Sequence, residues 1–185
     1  MQNEVVSMCP FSLIQSDLHA KARWLYGDDS FRNRVKARLT DGTTAMILYR
    51  WMQWAQRRRL VPLAMLFNKL NVMGGCIIGR GADFGEGFVL VHSIGIVINT
   101  SVKGGRNVVL EHQVTIGAEK GLSPILGDDV FIGAGAKVLG PLKIGNGAKV
   151  GANAVVLEDV PEGATVVGIP AKVVKTSPSP SLGGK

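Results

Sequence analysis

Between Ile78 and Val156 every sixth residue is large and apolar, and a single position breaks the series. The anchors are Ile78, Phe84, Leu90, Ile96, Val102, Val108, Val114, Leu126, Ile132, Val138, Ile144, Val150 and Val156, with Lys120 as the interruption. Four residues after many anchors stands a small or β-branched residue, as at Ala82, Thr100, Ala118, Val130, Ala136, Ala148, Ala154 and Val160. Glycine often follows the anchor directly (Gly79, Gly85, Gly127, Gly133, Gly145, Gly151). Self-similarity at a fixed period is the mark of a solenoid, and six residues is the period of a β-helix. Each hexad supplies a short strand and a corner, and three hexads close a triangular coil of about eighteen residues. The anchor and the slot four residues later share parity, so both point inward. Glycines and small polar residues permit the corners. The pattern therefore predicts a mainly β protein with a parallel β-helix over residues 71–175. A sandwich of short strands would alternate with period two between irregular turns, and does not account for the six.

The period is absent from the first 70 residues, where the pattern is helical. Residues 1–12 read as a loose lead-in. Ser16-Asp17 reads as a cap for a helix carrying Leu18, Ala22 and Leu25, ended by Gly27. A second helix runs through Phe31, Val35 and Leu39 and stops at Asp41-Gly42. A third begins at Thr43-Thr44 and ends in Arg57-Arg58-Arg59, after which Pro62 marks a break. The segment 63–70 reads as a further helical turn leading into the repeat. Trp51, Trp54 and the three arginines fit either a helix on an anionic membrane surface or aromatics packed on neighbouring elements, and packing is the favoured reading. Within the repeat, the disturbance from Gly117 to Ile125, with Lys120 at an anchor and Pro124 at an inward slot, predicts a loop leaving the coil. Loops on a rigid scaffold are where substrates are usually met. The tail 176–185, with Ser-Pro-Ser-Pro, has too little apolar surface to pack and is expected to be disordered.

Composition narrows the class. A chain of 185 residues, 46% apolar and 19% charged, suits one soluble, well-packed domain with an extension. The net charge of +7 suits an anionic partner, but basic and aromatic residues are not arranged as in a nucleic-acid module. Cys9 and Cys76 show neither disulfide nor metal spacing, which favours two free thiols in a reducing compartment. No basic-then-apolar leader opens the sequence and no apolar run reaches membrane-span length, so a cytoplasmic protein is expected.

Of the three histidines, His19 lies in a charged helical stretch and reads as a surface residue. His92 and His112 fall on the same face of consecutive coils. His92, two residues after its anchor, sits at a corner and looks outward. A histidine there can act as a general base, because its ordinary pKa of about 6.5 suits proton removal near neutrality. His112 falls in an inward slot, where filling the core is the favoured reading and a catalytic role the alternative. Asp83, Glu86 and Glu111 are candidates for orienting His92, as is a backbone carbonyl. Two β-helix histidines are too few for a zinc site.

The hexads, the segment Leu90-Val91-His92-Ser93-Ile94-Gly95, the runs Val114-Thr115-Ile116-Gly117 and Ile132-Gly133-Ala134-Gly135-Ala136, and Val167-Gly168-Ile169-Pro170-Ala171-Lys172 resemble the hexapeptide-repeat acyltransferases. The closest likeness is to the serine acetyltransferase group and its polysaccharide-modifying cousins, such as the colanic-acid acetyltransferases. The resemblance covers about residues 71–175, with a weaker echo at Tyr49-Arg50. It implies a left-handed β-helix, a homotrimer (with a dimer of trimers open), active sites between chains, and acetyl-CoA as co-substrate with no metal. It makes His92 the general base for direct attack on the thioester. Gly117, Ala134 and Ala152 then line the pantetheine arm and Lys172 stands near the nucleotide phosphates.

Departures from the serine acetyltransferase pattern bear on the acceptor. Members of that group carry an aspartate before the catalytic histidine, where this chain has Val91, and another fifteen residues upstream, where it has Ile77. Their loop after the Val-Thr-Leu-Gly run carries Arg-His-Pro; here it is shorter and reads Leu122-Ser123-Pro124. Losing a hydrogen-bonded charge pair from a buried site costs roughly 2–5 kcal/mol, so a sugar or polysaccharide hydroxyl is the expected acceptor. Serine is the alternative, and a non-catalytic β-helix scaffold the alternative of another class. The C-terminus Gly183-Gly184-Lys185 lacks the terminal isoleucine with which serine acetyltransferases engage a sulfhydrylase.

Overall fold

A computed structural model describes residues 9–176. Helices α1 (Pro10–Tyr26), α2 (Phe31–Arg38), α3 (Thr43–Arg57) and α4 (Val61–Met73) precede fifteen short strands. The lead-in is shorter than the sequence suggests, because Pro10 already opens α1, and Asp17 lies inside that helix rather than at its cap. The final segment before the repeat is a full helix of 13 residues. The expected tail lies outside the described residues except Thr176, which belongs to a strand.

The strands form a left-handed parallel β-helix with three faces. The first face stacks β1 (Cys76–Ile78), β4 (Ile96–Ile98), β7 (Thr115–Gly117), β10 (Lys137–Leu139) and β13 (Val155–Val156). The second stacks β2 (Asp83–Phe84), β5 (Lys103–Gly104), β8 (Ile125–Leu126) and β11 (Lys143–Ile144). The third stacks β3 (Val89–Leu90), β6 (Val109–Leu110), β9 (Phe131–Ile132), β12 (Lys149–Val150) and β14 (Ala164–Val167), and β15 (Lys172–Thr176) joins it antiparallel.

The register corrects the uniform eighteen-residue coil. Ile78 pairs with Ile98, twenty residues on, and Ile116 with Val138, twenty-two on. The coils between, from Val97 to Thr115 and from Val138 to Val156, have eighteen. Two extra residues lie in the corner at His92 and four in the loop after Gly117. Together they make one hexad, so the series of sixes returns to phase at Leu126 as if nothing had been inserted. Between the two insertions, Ile96, Val102, Val108 and Val114 stand two residues ahead of the true anchors Ile98, Gly104, Leu110 and Ile116. Parity hides the slip, since both positions point inward and Ile96, Ile98, Val102, Leu110, Val114 and Ile116 are all buried. Gly104 is the one true anchor without a side chain. The Phe84 ring fills its place, and a Cβ on Gly104 would lie 2.2 Å from Phe84 Cδ1.

A solenoid's first coil has no preceding coil to pair with, and here the helices supply the missing partners. Tyr49 Oη donates to the Ala82 carbonyl at 3.1 Å and accepts from Phe84 N at 3.0 Å. Arg50 donates to the carbonyls of Phe84 (2.8 Å) and Gly85 (2.5 Å), and forms a two-pronged pair with Asp17 of α1 at 2.7 and 2.8 Å. Asp17 in turn accepts from Phe88 N at 2.9 Å. Asn68 of α4 donates to the Ile78 carbonyl at 2.8 Å. The Arg50 and Asp17 side chains are buried. Burial opposes the charge on Arg50, but the Asp17 carboxylate outweighs it and raises the guanidinium's pKa.

The aromatic helix packs as expected. Trp51 meets Phe11, Trp54 and Phe67 at ring distances of 5.3, 5.6 and 6.2 Å, and Arg57 pairs with Asp83 at 2.7 Å. Among the described residues no helix is long and apolar enough to cross a membrane. Cys9 and Cys76 are both free thiols, and burial pushes Cys76 up to about 12.

Candidate active site

One corner of the triangle, between the third face and the first, gathers most of the singled-out residues. Two places after Leu90, Leu110, Ile132 and Val150, which stack in register, stand His92, His112, Ala134 and Ala152. The corners are tied by main-chain bonds: Gln113 N to Ile94 O (3.0 Å), Gly135 N to His112 O (2.9 Å) and Asn153 N to Ala134 O (2.8 Å). Each of these corners turns through a left-handed residue, Gly95, Gln113, Gly135 or Asn153, with φ of 75°, 57°, 72° and 56°. The structure thus forms a ridge of two histidines followed by two alanines. Gly117 lies off this column, at the end of β7 opposite Leu139. Lys172 is exposed on β15.

His112 is not the core residue its slot suggests. The slip in register returns it to the outward corner position that His92 occupies, and its side chain is 46% exposed. The two rings meet edge to face, 5.9 Å apart. Glu111 Oε2 lies 3.9 Å from His112 Nδ1. His19 is also more engaged than a surface residue, with Asp29 at 2.9 Å and Arg34 at 2.8 Å on its two ring nitrogens.

The carboxylate at His92 is none of the three expected. Asp83 is taken by Gln53 and Arg57, Glu111 lies by His112, and the acid near His92 is Asp41, whose Oδ2 is 3.4 Å from His92 Nδ1. Asp41 sits in the turn between α2 and α3. Two features fix that turn. The buried Lys21 ammonium of α1 donates to the Asp41 main-chain carbonyl. Gly42, at φ 78°, packs so closely on the coil that a Cβ would stand 2.5 Å from the Leu90 carbonyl oxygen. Burial lowers the Lys21 pKa to about 8, against the opposing pull of Asp41. Sequence reasoning took Asp41-Gly42 only as a helix stop. The available signal was a glycine needed for a left-handed turn directly behind an acid.

Beside this turn opens a cavity of about 410 Å³, lined by Asp41, Thr44, Asn71, Ser93 and Ile94 among others. Its wall mixes polar groups (Thr40, Asp41, Thr44, Asn71 and Ser93) with apolar ones (Leu39, Leu48, Leu70 and Ile94), and Asp41 and Ser93 join it to the corner that carries His92. Its lining has no cation. No group of three or more metal-binding side chains occurs among the described residues.

Comparison with known proteins fits this arrangement. Residues 123–158 match the family model "Bacterial transferase hexapeptide (six repeats)". Over 158 residues the chain is 39% identical to a serine acetyltransferase of Helicobacter pylori, spanning 82% of this chain and 92% of that one. It belongs to the serine acetyltransferase family. A Mycobacterium tuberculosis serine acetyltransferase is 40% identical over 141 residues, covering 74% of this chain and 60% of the relative. The crystal structure of the Neisseria gonorrhoeae serine acetyltransferase superposes with a TM-score of 0.82 at 31% identity, over 92% of this chain and 66% of that one. A serine acetyltransferase solved in complex with CoA gives 0.80 at 30% identity, over 89% and 69%. The chain is accordingly an acetyl-CoA-dependent acyltransferase.

These relatives are named for serine, not for the sugar or polysaccharide acceptor expected from the sequence, and so favour the alternative reading of the acceptor. Val91, Ile77 and the short loop are not the only places from which charge can reach this corner. The helices bring a carboxylate to the same corner from outside the coil.

Proposed function

We propose that this family member is a serine O-acetyltransferase, with His92 as the general base. The observation that carries the reading is the near full-length likeness to a serine acetyltransferase, joined to an exposed histidine with a carboxylate beside its Nδ1. Because Nδ1 faces Asp41, Nε2 is the nitrogen left to accept the serine hydroxyl proton. The alkoxide oxygen bonds to the acetyl carbonyl carbon, the C–S bond breaks, and the proton held on Nε2 passes to the departing thiolate. Acetyl-CoA supplies the acyl group as a thioester, a donor already activated toward attack.

The ridge suits a thin, neutral pantetheine arm. Ala134 and Ala152 continue the histidine column with methyl groups only, and their main chain is at the surface. A Cβ on Gly117 would come within 2.9 Å of Leu139 Cδ2, so glycine leaves that edge less crowded than any other residue. Lys172, exposed beyond the last coil, is a cation for the nucleotide phosphates. His112, 5.9 Å from His92, lies close enough to bound the same space. The active unit is taken to be a homotrimer with grooves between chains.

The test is thiol release from acetyl-CoA with L-serine, for wild type and His92→Ala. Turnover with serine is expected, and loss of the base lowers kcat by about 10²–10⁴-fold. A wild type that turns over other hydroxyl acceptors but not serine overturns the substrate. A fully active His92→Ala overturns the base and passes the role to His112.

A further inference from the structure

We propose that Asp41, carried on the turn between α2 and α3, is the residue that positions His92 for proton transfer. The inference rests on the reading of His92 as base. At the two coil positions where related enzymes carry aspartate, this chain has Val91, which is buried, and Ile77, whose side chain is apolar. Neither can fix the imidazole. The Asp41 carboxylate stands 3.4 Å from Nδ1, an ion-pair separation at which it can balance the imidazolium that forms when Nε2 takes the hydroxyl proton and, with a small closure, hold the ring by Nδ1–H.

The carboxylate itself is exposed, but the main chain that carries it is not free to wander. The Lys21 ammonium holds its carbonyl from the α1 side. Gly42 locks the next residue against Leu90, two places before His92 on the coil. Acid and base are therefore referenced to the same strand end, one through the Gly42 contact and the other through the chain. The remaining charged groups around the pair are His112 and Glu111 from the second coil and Lys137 from β10, whose Nζ donates to the Gln113 carbonyl at 2.7 Å. None of them contacts Nδ1 of His92.

The test compares Asp41→Asn, Asp41→Glu and His92→Ala in the full chain, using L-serine and acetyl-CoA. Asparagine keeps the size of the side chain, and the Lys21 bond goes to the main chain, so the fold is retained; thermal unfolding checks this. Asp41→Asn is expected to lower kcat by about 10–10²-fold, with KM for acetyl-CoA within about twofold of wild type. Asp41→Glu restores part of kcat. An Asp41→Asn variant with kcat unchanged, while His92→Ala is inactive, overturns the positioning role and leaves the base intact. A rise in KM for serine at constant kcat overturns it also, and makes Asp41 a reader of the acceptor amine. An active His92→Ala defeats the underlying base reading instead.

Discussion

Replacing Asp17 by alanine tests whether the helices are an integral cap on the coil. The side chains of Asp17 and Arg50 are 1% and 0% exposed, so the substitution leaves a buried guanidinium without its counter-charge. Breaking a buried pair from one side costs about 3–5 kcal/mol. Arg50 keeps its bonds to Phe84, Gly85 and Gln53, which argues for the lower half of that range. The Phe88 amide loses its acceptor as well, adding about 1–3 kcal/mol. A net loss of about 4–7 kcal/mol follows, and at a urea dependence of about 2 kcal/mol per molar it moves the midpoint down by about 2–3.5 M. The assay is urea unfolding followed by tryptophan fluorescence, at one fixed protomer concentration so that assembly contributes equally. Arg50→Met alone and the double variant Asp17→Ala with Arg50→Met close the cycle, and the double should cost less than the sum of the two singles, giving a coupling of at least about 2 kcal/mol. A single-variant loss under about 1 kcal/mol, or additive effects in the cycle, would refute the reasoning and make the pair a bystander.

Two further outcomes follow from the turn at the active corner. Gly42→Ala forces a Cβ against the Leu90 carbonyl at a φ that side chains rarely adopt, so it should cost about 1–3 kcal/mol and lower kcat along with Tm; an unchanged Tm would contradict the close packing. Lys21 ionises near 8 in the folded chain against 10.5 when unfolded, so the unfolded state holds more protons between those values and stability rises with pH across that window. The whole interval is worth about 3 kcal/mol at most. Lys21→Met should remove that rise from the difference between the two proteins' urea midpoints at pH 8 and pH 10.

The repeat could be read from the chain because its inward positions obey simple arithmetic, and the helical start because the arithmetic stops there. The register could not. Anchor and slot are both apolar and two residues apart, so an insertion of two at His92 looks like no insertion at all. That slip placed His112 inside the coil when it belongs beside His92. Asp41 was beyond reach for another reason: 51 positions separate it from His92 in sequence, and only the docking of α1 and α3 on the first coil brings it there. Asp17 likewise looked like a cap, since a sequence shows that a residue is charged but not that its partner lies 33 positions away in a buried site.

The last strand, β15, runs against the direction of every other strand on its face. A stack of parallel coils is, at its open end, a template on which another molecule's first coil could settle, and so on into a fibre. Reversing the final strand spoils that template on the third face, because the exposed edge now presents the wrong polarity for a further parallel rung. On the second face Val160 and Asp159 already occupy the donors of Gly145 and Lys143. Among the described residues, the stack is covered at one end by helices and at the other by a strand turned back on itself.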